Sequence, residues 1–437
     1  MAGSPRPVSG GGCTGHPRDL PFYRYRSNRV ADGPLRGVRV LDLTHVWAGP
    51  LATRFLADLG AETVKIESPM GRGPRDYPVN EVAYGWIGGD SGDEPWNRNA
   101  IFVKQQRNKQ SVAIDLKTDA GRETFLGLVR VADVVIENFH SVTMPKLGLS
   151  CDVLAAENPS IIYVAMPGYG LEGPYSQRVA FGPAVEAMSG LSDVMGYGPD
   201  EPRNTAMALM DPVAAVSAAA GVVTALRRRR KTGKGAFIEM SLHDAAVSFC
   251  GAWLVDRQLG NPLERLANGH PEMAPHGVYP SAGEDEWIAI ACRDDGEWRS
   301  LCSVVPGLDA DADFVTRRRD RSEIDALISG WTACRDKRAA AEALQVAGVP
   351  AGPVNTTPDM LGDPQSRERG FFVPIEAGPT PMPGNPMKMN GISSADWTPC
   401  PKLGADNATV LKGWLDYSDD EVAELERAGV IVDRPPR

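Results

Sequence analysis

Hydrophobic and polar positions alternate in blocks along the first half of the chain. Val38-Arg39-Val40-Leu41-Asp42-Leu43-Thr44 is dense in β-branched and apolar residues and reads as a strand. Gly49-Pro50 opens a helix through Phe55-Leu56-Ala57-Asp58-Leu59, Gly60 closes it, and Thr63-Val64-Lys65-Ile66-Glu67 follows as a second strand. Strand, helix and strand with short joints form a βαβ unit, which predicts parallel strands. The pattern recurs with a strand over Ser111–Leu116, a helix over Thr118–Val131, a buried strand over Asp133–Glu137 and another over Ile161–Ala165. This alternation predicts an α/β fold with a Rossmann-like, doubly wound large domain, whose ligands sit at the carboxyl ends of the strands. No GxGxxG follows the first strand, so the dinucleotide fingerprint is missing.

The pattern changes after about Ser241. A helix over Asp244–Leu259 leads into the polar stretch Gly260–Pro275. A hairpin follows, with arms Gly277–Pro280 and Trp287–Ala291 around Gly283-Glu284-Asp285. Helical patterns fill 295–347 before the Pro-rich Val349–Val354. The expected organisation is therefore a disordered Gly-, Pro- and Arg-rich tail (1–34), the large domain (35–242) and a helical linker (243–275). A smaller α+β domain (276–355) and a C-terminal return to the large domain (356–437) complete it.

Composition narrows the partners. The 437 residues carry a formal charge of -10, which gives no bulk electrostatic support for nucleic acid. Seven scattered cysteines without a CxxC pair fit a reducing cytosol rather than a disulfide framework or structural zinc. The tail lacks the apolar centre of a signal peptide, and the apolar run Val213–Leu226 falls short of the roughly 20 residues a bilayer span needs. A cytoplasmic protein with no membrane partner is expected.

The richest candidate for chemistry is Ala206–Val213, which runs into the Ala-rich segment Ala214–Leu226. Pro212 suits the first helical position, which makes Asp211 the N-cap of a helix expected to be buried all round. Arg227–Lys231 end it with cations suited to a helix C-terminus and read as a solvated end. By itself Asp211 is first a structural cap. A carboxylate at the mouth of a buried helix is also held oriented and partly desolvated, as attack on a thioester requires, and the two roles are compatible. His45 and His140 follow strands and His270 and His276 lie in the polar connector, but no pair has metal-ligand spacing.

Several segments together resemble the class III CoA-transferases, the CaiB/BaiF type that includes formyl-CoA transferase, carnitine CoA-transferase and α-methylacyl-CoA racemase. They are Leu35–Pro50, Leu59–Glu67, Arg107-Asn108-Lys109-Gln110-Ser111, Asp115-Leu116-Lys117, Ala132–Phe139, Gly168-Tyr169-Gly170, Ser189-Gly190-Leu191 and Lys231–Gly235, in the family's order. The resemblance implies ring-shaped subunits in an interlocked homodimer, with no permanently bound cofactor and with coenzyme A and acyl-CoA as substrates. It implies transfer of CoA to a carboxylic acid, with Asp211 as the catalytic carboxylate passing through an aspartyl anhydride and an aspartyl-CoA thioester. CoA contacts carry over to Val46, Trp47, Ala48, Ile114, Asp115, Leu116, Lys117, Asn138, Phe139, Lys146, Val179, Ala180 and Phe181. Ser68 stands where formyl-CoA transferase has an Arg, and Arg72 and Arg75 are the substitutes expected to meet the phosphates. Two alternatives are an acyl-CoA isomerase or racemase of the same family and a non-catalytic CoA-binding subunit of a heteromeric transferase. Gly182 stands where the racemase branch carries an Asp, which counts against the first, and retention of Asp211 counts against the second.

Overall fold

A computed structural model describes residues 33–70, 85–89, 91–198, 200–262, 264–374 and 381–435. Its centre is a six-stranded sheet, all parallel: β1 (Arg39–Asp42), β2 (Glu62–Glu67), β3 (Lys109–Ala113), β4 (Val134–Glu137), β5 (Ile162–Ala165) and β6 (Ala236–Glu239). The order β3-β2-β1-β4-β5-β6 places the reversal of strand order between β1 and β4, where a doubly wound sheet opens a crevice at its carboxyl edge. One face is covered by the helices Ala48–Asp58, Met210–Thr232 and Leu242–Phe249, through Leu51, Leu56, Ala214, Ala218, Val222 and Ala246. The other is covered by Asp119–Val131 and, from the far end of the chain, Asn407–Leu415 and Asp419–Arg427, through Phe125, Leu128, Val410, Leu411 and Val422.

The C-terminal return also finishes the sheet. Strand β3 has one neighbour, and its outer backbone groups would otherwise be unpaired. The Asp406 carboxylate accepts the Ser111 N–H at 2.8 Å, the Asn407 side-chain oxygen accepts the Ala113 N–H at 3.0 Å, and the Asp406 N–H bonds the Ser111 carbonyl at 3.0 Å. A separate antiparallel sheet, β7 (His276–Pro280), β8 (Trp287–Ala291) and β9 (Ala351–Pro353), packs its own core of Tyr279, Ile288, Ile290, Trp298, Leu301, Ile328 and Leu344.

Five local expectations need correction. Strand β3 runs Lys109–Ala113 rather than Ser111–Leu116, its first residue being a buried lysine bonded to Asp42. Strand β6 is extra; its four residues are too few to show a period beside the turn Gly233-Lys234-Gly235. The helix over Asp244–Leu259 is two helices, Leu242–Phe249 and Gly251–Gln258, joined at Cys250. The 23-residue helix Met210–Thr232 is not buried all round: Ala214, Ala218 and Val222 face the core, while Val216 and Val223 are exposed. It also begins at Met210 with Leu209 at the cap, so Asp211 lies inside the first turn and is not the N-cap. The first four helical N–H groups have no intrahelical acceptor, so a proline fits any of these positions and does not mark the boundary.

Candidate active site

The loop that follows β1 is His45-Val46-Trp47, and it delivers the chain to the start of the Ala48–Asp58 helix at the strand-order reversal. Val46 adopts φ 65°, a left-handed conformation that costs a β-branched residue energy and must be held from outside. Asn138, just past β4, does so with both ends of its amide. Its oxygen accepts the His45 N–H at 2.7 Å and its nitrogen donates to the His45 carbonyl at 2.8 Å. The Phe139 ring lies 5.3 Å from that of His45, and the Phe139 N–H bonds Glu137 at 2.6 Å. Burial pushes the Glu137 carboxyl up to about 7, against the opposing donors Phe139 N–H and Tyr163 hydroxyl.

Beneath this loop lies a sealed polar cluster centred on Asp42, which is fully buried. The Lys109 ammonium bonds the Asp42 carboxylate at 2.9 Å, Thr53 at 2.8 Å and the Pro50 carbonyl at 3.0 Å. The Lys65 ammonium donates to the Thr44 carbonyl at 2.6 Å. Burial alone would raise the Asp42 pKa, but Lys109 and Lys65 overcome it and hold the carboxyl well below the usual range. Burial in turn brings Lys109 down to about 8, with Asp42 working against the drop. The cluster ties β1, β2, β3 and the first turn of the Ala48–Asp58 helix at one point, which fixes where that helix begins.

Asp211 enters from the other side. Its side chain is buried, with the Ala48 N–H at the start of the facing helix favouring its ionised form. Burial pushes its pKa from 3.8 up to about 6; the Ala48 donor opposes the rise and the charge of Glu186 adds to it. The third contact is Gly182: a Cβ there would fall 2.3 Å from the Asp211 carboxylate and 2.5 Å from the Ala208 Cβ. Only a glycine leaves room for the carboxylate in this position. Gly168, after β5, is close in the same way, for a Cβ would meet that of Ala180 at 2.1 Å. The Val179–Phe181 segment therefore lies flat against the chain leaving β5. Val46, Val179, Phe181 and Met207 are exposed apolar side chains around this point.

Thus Ala48, reached through Val46 and Trp47, and Gly182, reached through Val179, Ala180 and Phe181, converge on Asp211; Asn138 and Phe139 brace the first approach. Ile114, Asp115, Leu116 and Lys117 leave β3, two strands from β1 along the same edge. Ile114 bridges to Ile431 there, and the Asp115 N–H bonds the Val430 carbonyl at 2.8 Å, so this run is tied to the C-terminal segment. Lys117 and Lys146 are exposed. Arg72 and Arg75 lie outside the described residues. A cleft of about 780 Å³ between Glu62-Thr63 and Pro399–Asp406 opens at the amino ends of β2 and β3, away from this chemistry.

A model of the CoA-transferase family III matches residues 35–407 of the chain. The chain belongs to this family. Acetyl-CoA:oxalate CoA-transferase of Acetobacter aceti is 36% identical over 389 residues, covering 87% of this chain and 95% of that one. A probable CoA-transferase of Mycobacterium tuberculosis is 34% identical over 91% of this chain, which spans only 50% of the length of that relative. The crystal structure of a CaiB/BaiF family protein from Brucella suis superposes with a TM-score of 0.76 at 31% identity, over 87% of this chain and 99% of that one. In this family III CoA-transferase the sequence reading did not single out Asp42, Lys65, Lys109 or Glu186 as parts of the site. The signal for the first three was present, since charged residues inside buried parallel strands break an otherwise apolar pattern.

Proposed function

We propose that the protein moves CoA from an acyl-CoA donor to a carboxylic acid, with Asp211 as the covalent carrier. The supporting observation is the seat of Asp211: a buried carboxylate in the first turn of a core helix, closed in by Gly182. An oxygen of Asp211 attacks the thioester carbon; the C–S bond breaks, giving a mixed anhydride and CoA thiolate. The thiolate adds to the Asp211 carbonyl, the anhydride C–O bond breaks, and the donor acid leaves as its carboxylate. The acceptor carboxylate then attacks the aspartyl-CoA thioester, and thiolate is again expelled. Its attack on the acceptor's acyl carbon gives the new acyl-CoA and frees Asp211. Each tetrahedral intermediate bears an oxyanion, and the Ala48 N–H, which favours negative charge on Asp211, is our candidate donor for it.

The cofactor is thus substrate only. Its phosphates fit the exposed ammonium groups of Lys117 and Lys146, with Arg72 and Arg75 as further candidates, and its acyl end fits the Val46–Ala48 and Val179–Phe181 segments. We read the active assembly as a homodimer of interlocked rings. The exposed apolar side chains of Val216, Val223, Phe249, Trp253, Leu254 and Val255 support a covering partner surface.

The test is incubation with a panel of acyl-CoAs followed by mass spectrometry of the intact protein. A CoA-sized covalent adduct that maps to Asp211 and disappears in Asp211→Ala is expected. Full acyl transfer by Asp211→Ala would sink the mechanism.

A further inference from the structure

Glu186 projects from the helix Gly182–Met188 and is fully buried. An ionised carboxylate there is costly unless its oxygens are matched by donors. Both are matched by one residue: the Thr205 N–H donates at 3.0 Å and the Thr205 hydroxyl at 2.6 Å. The same hydroxyl accepts the Leu209 N–H at 3.2 Å, two residues before Asp211. A second tie runs from the Asn204 amide to the Pro183 carbonyl at 3.3 Å. The segment from Asn204 to Leu209 is therefore hung from the helix that also presents Gly182 to Asp211. It passes through Ala208 at φ 48°, a left-handed conformation that alanine adopts only when held.

We propose that Glu186 is a positioning residue for Asp211, clasping through Thr205 the turn that delivers it and setting beside it a negative charge whose repulsion acylation relieves. The inference rests on the reading of Asp211 as nucleophile. When an Asp211 oxygen bonds to the acyl carbon and the C–S bond breaks, the negative charge departs on the CoA thiolate. Asp211 becomes a neutral acyl group beside Glu186. Repulsion raises the energy of the starting carboxylate and not of the acylated form, so it favours the covalent state.

Several other titratable groups on the elements packed here are engaged elsewhere, Asp193 among them through its ion pair with Arg265. Arg54 donates to the Lys104 carbonyl, Asp58 is bound by Arg107, and Tyr163 donates to Glu137. Glu239 accepts the Leu171 N–H, and His243 pairs with Asp244. Glu186 is the charge that adds to burial in pushing Asp211 up to about 6.

Glu186→Gln in the full chain tests this, since the amide keeps the size and one acceptor oxygen but removes the charge. The acid limb of kcat/KM should move to lower pH, and the equilibrium fraction of Asp211–CoA adduct in intact-protein spectra should fall with it. KM for acyl-CoA should stay within about twofold, because the contact acts on chemistry and not on ground-state binding. An unmoved acid limb together with an unchanged adduct fraction overturns the inference. Thr205→Val serves if Glu186→Gln folds poorly: it removes the hydroxyl that joins Glu186 to the Leu209 N–H and keeps the charge, so kcat should fall while the acid limb stays. Unchanged kcat in Thr205→Val overturns the clasp. Full turnover by Asp211→Ala would instead defeat the nucleophile reading itself, whereas an inactive Asp211→Ala beside an unmoved Glu186→Gln defeats this inference alone.

Discussion

Gly182→Ala is the smallest change that separates a seated carboxylate from a merely nearby one. The added methyl would stand 2.3 Å from the Asp211 carboxylate oxygen and 2.5 Å from the Ala208 Cβ. Nonbonded carbons rest at about 3.5–4.0 Å, so the Ala208 turn has to retreat by roughly 1 Å. Asp211 can rotate away from the methyl, but Ala208 is backbone-fixed, and its own φ of 48° leaves little slack. Overpacking of this kind costs about 1–3 kcal/mol of stability. A displacement of about 1 Å at a nucleophile costs on the order of a hundredfold in rate. Turnover of acyl-CoA and a carboxylate acceptor, followed by exchange of labelled CoA between the two acyl groups, reads the second effect; a denaturant midpoint reads the first. The expected variant is folded, binds acyl-CoA, and transfers roughly a hundredfold more slowly. Full activity in a protein of parental stability would show that Asp211 does not need this seat, and the geometric argument would fall.

The pH profile follows from the same carboxylate. Asp211 must be ionised to attack, and with its pKa at about 6 the activity should be about half maximal near pH 6 and about one-tenth near pH 5; an acid limb near 4, where an unburied Asp titrates, would contradict it. Asp42→Asn removes the counter-charge of two buried ammonium groups and should cost about 3–5 kcal/mol in the denaturant midpoint. Because the native Asp42 pKa is depressed, that contribution is present above about pH 4 and is lost as the pH falls toward the native value. Parental stability of Asp42→Asn at pH 7 would refute it.

How much of this was legible in the chain depended on how each residue is paid for. Strands β1, β2, β4 and β5 are buried on both faces, so their apolar runs announce them without help from neighbours. Strand β3 begins two residues and ends three residues before the expected span, because Lys109 looks like loop until its partners Asp42 and Gln106 are in view. Strand β6 follows a Gly-rich turn and has only four residues, two of them exposed. The cap reading of Asp211 failed since any of the first helical positions accepts Pro212, and local sequence does not choose among them. Gly182 carried its real meaning in space: nothing in the neighbouring residues says that a carboxylate 29 positions later will press against it. Glu186 was invisible for the same reason, its partner Thr205 lying 19 residues away.

The tie between β3 and residues Asp406 and Asn407 has a consequence for how the protein comes into being. The Ala113 N–H waits for an acceptor 294 residues further along the chain. At synthesis rates of about 5–20 residues per second, the outer edge of the growing sheet stays unpaired for roughly 15–60 seconds. During that interval the nascent chain exposes an open strand edge and the apolar faces of Phe125 and Leu128, which Val410 and Leu411 later cover. Such an edge invites pairing with another chain. A transcript truncated shortly before Asp406 should therefore yield aggregate rather than a soluble half, although almost every strand of the molecule has already been made.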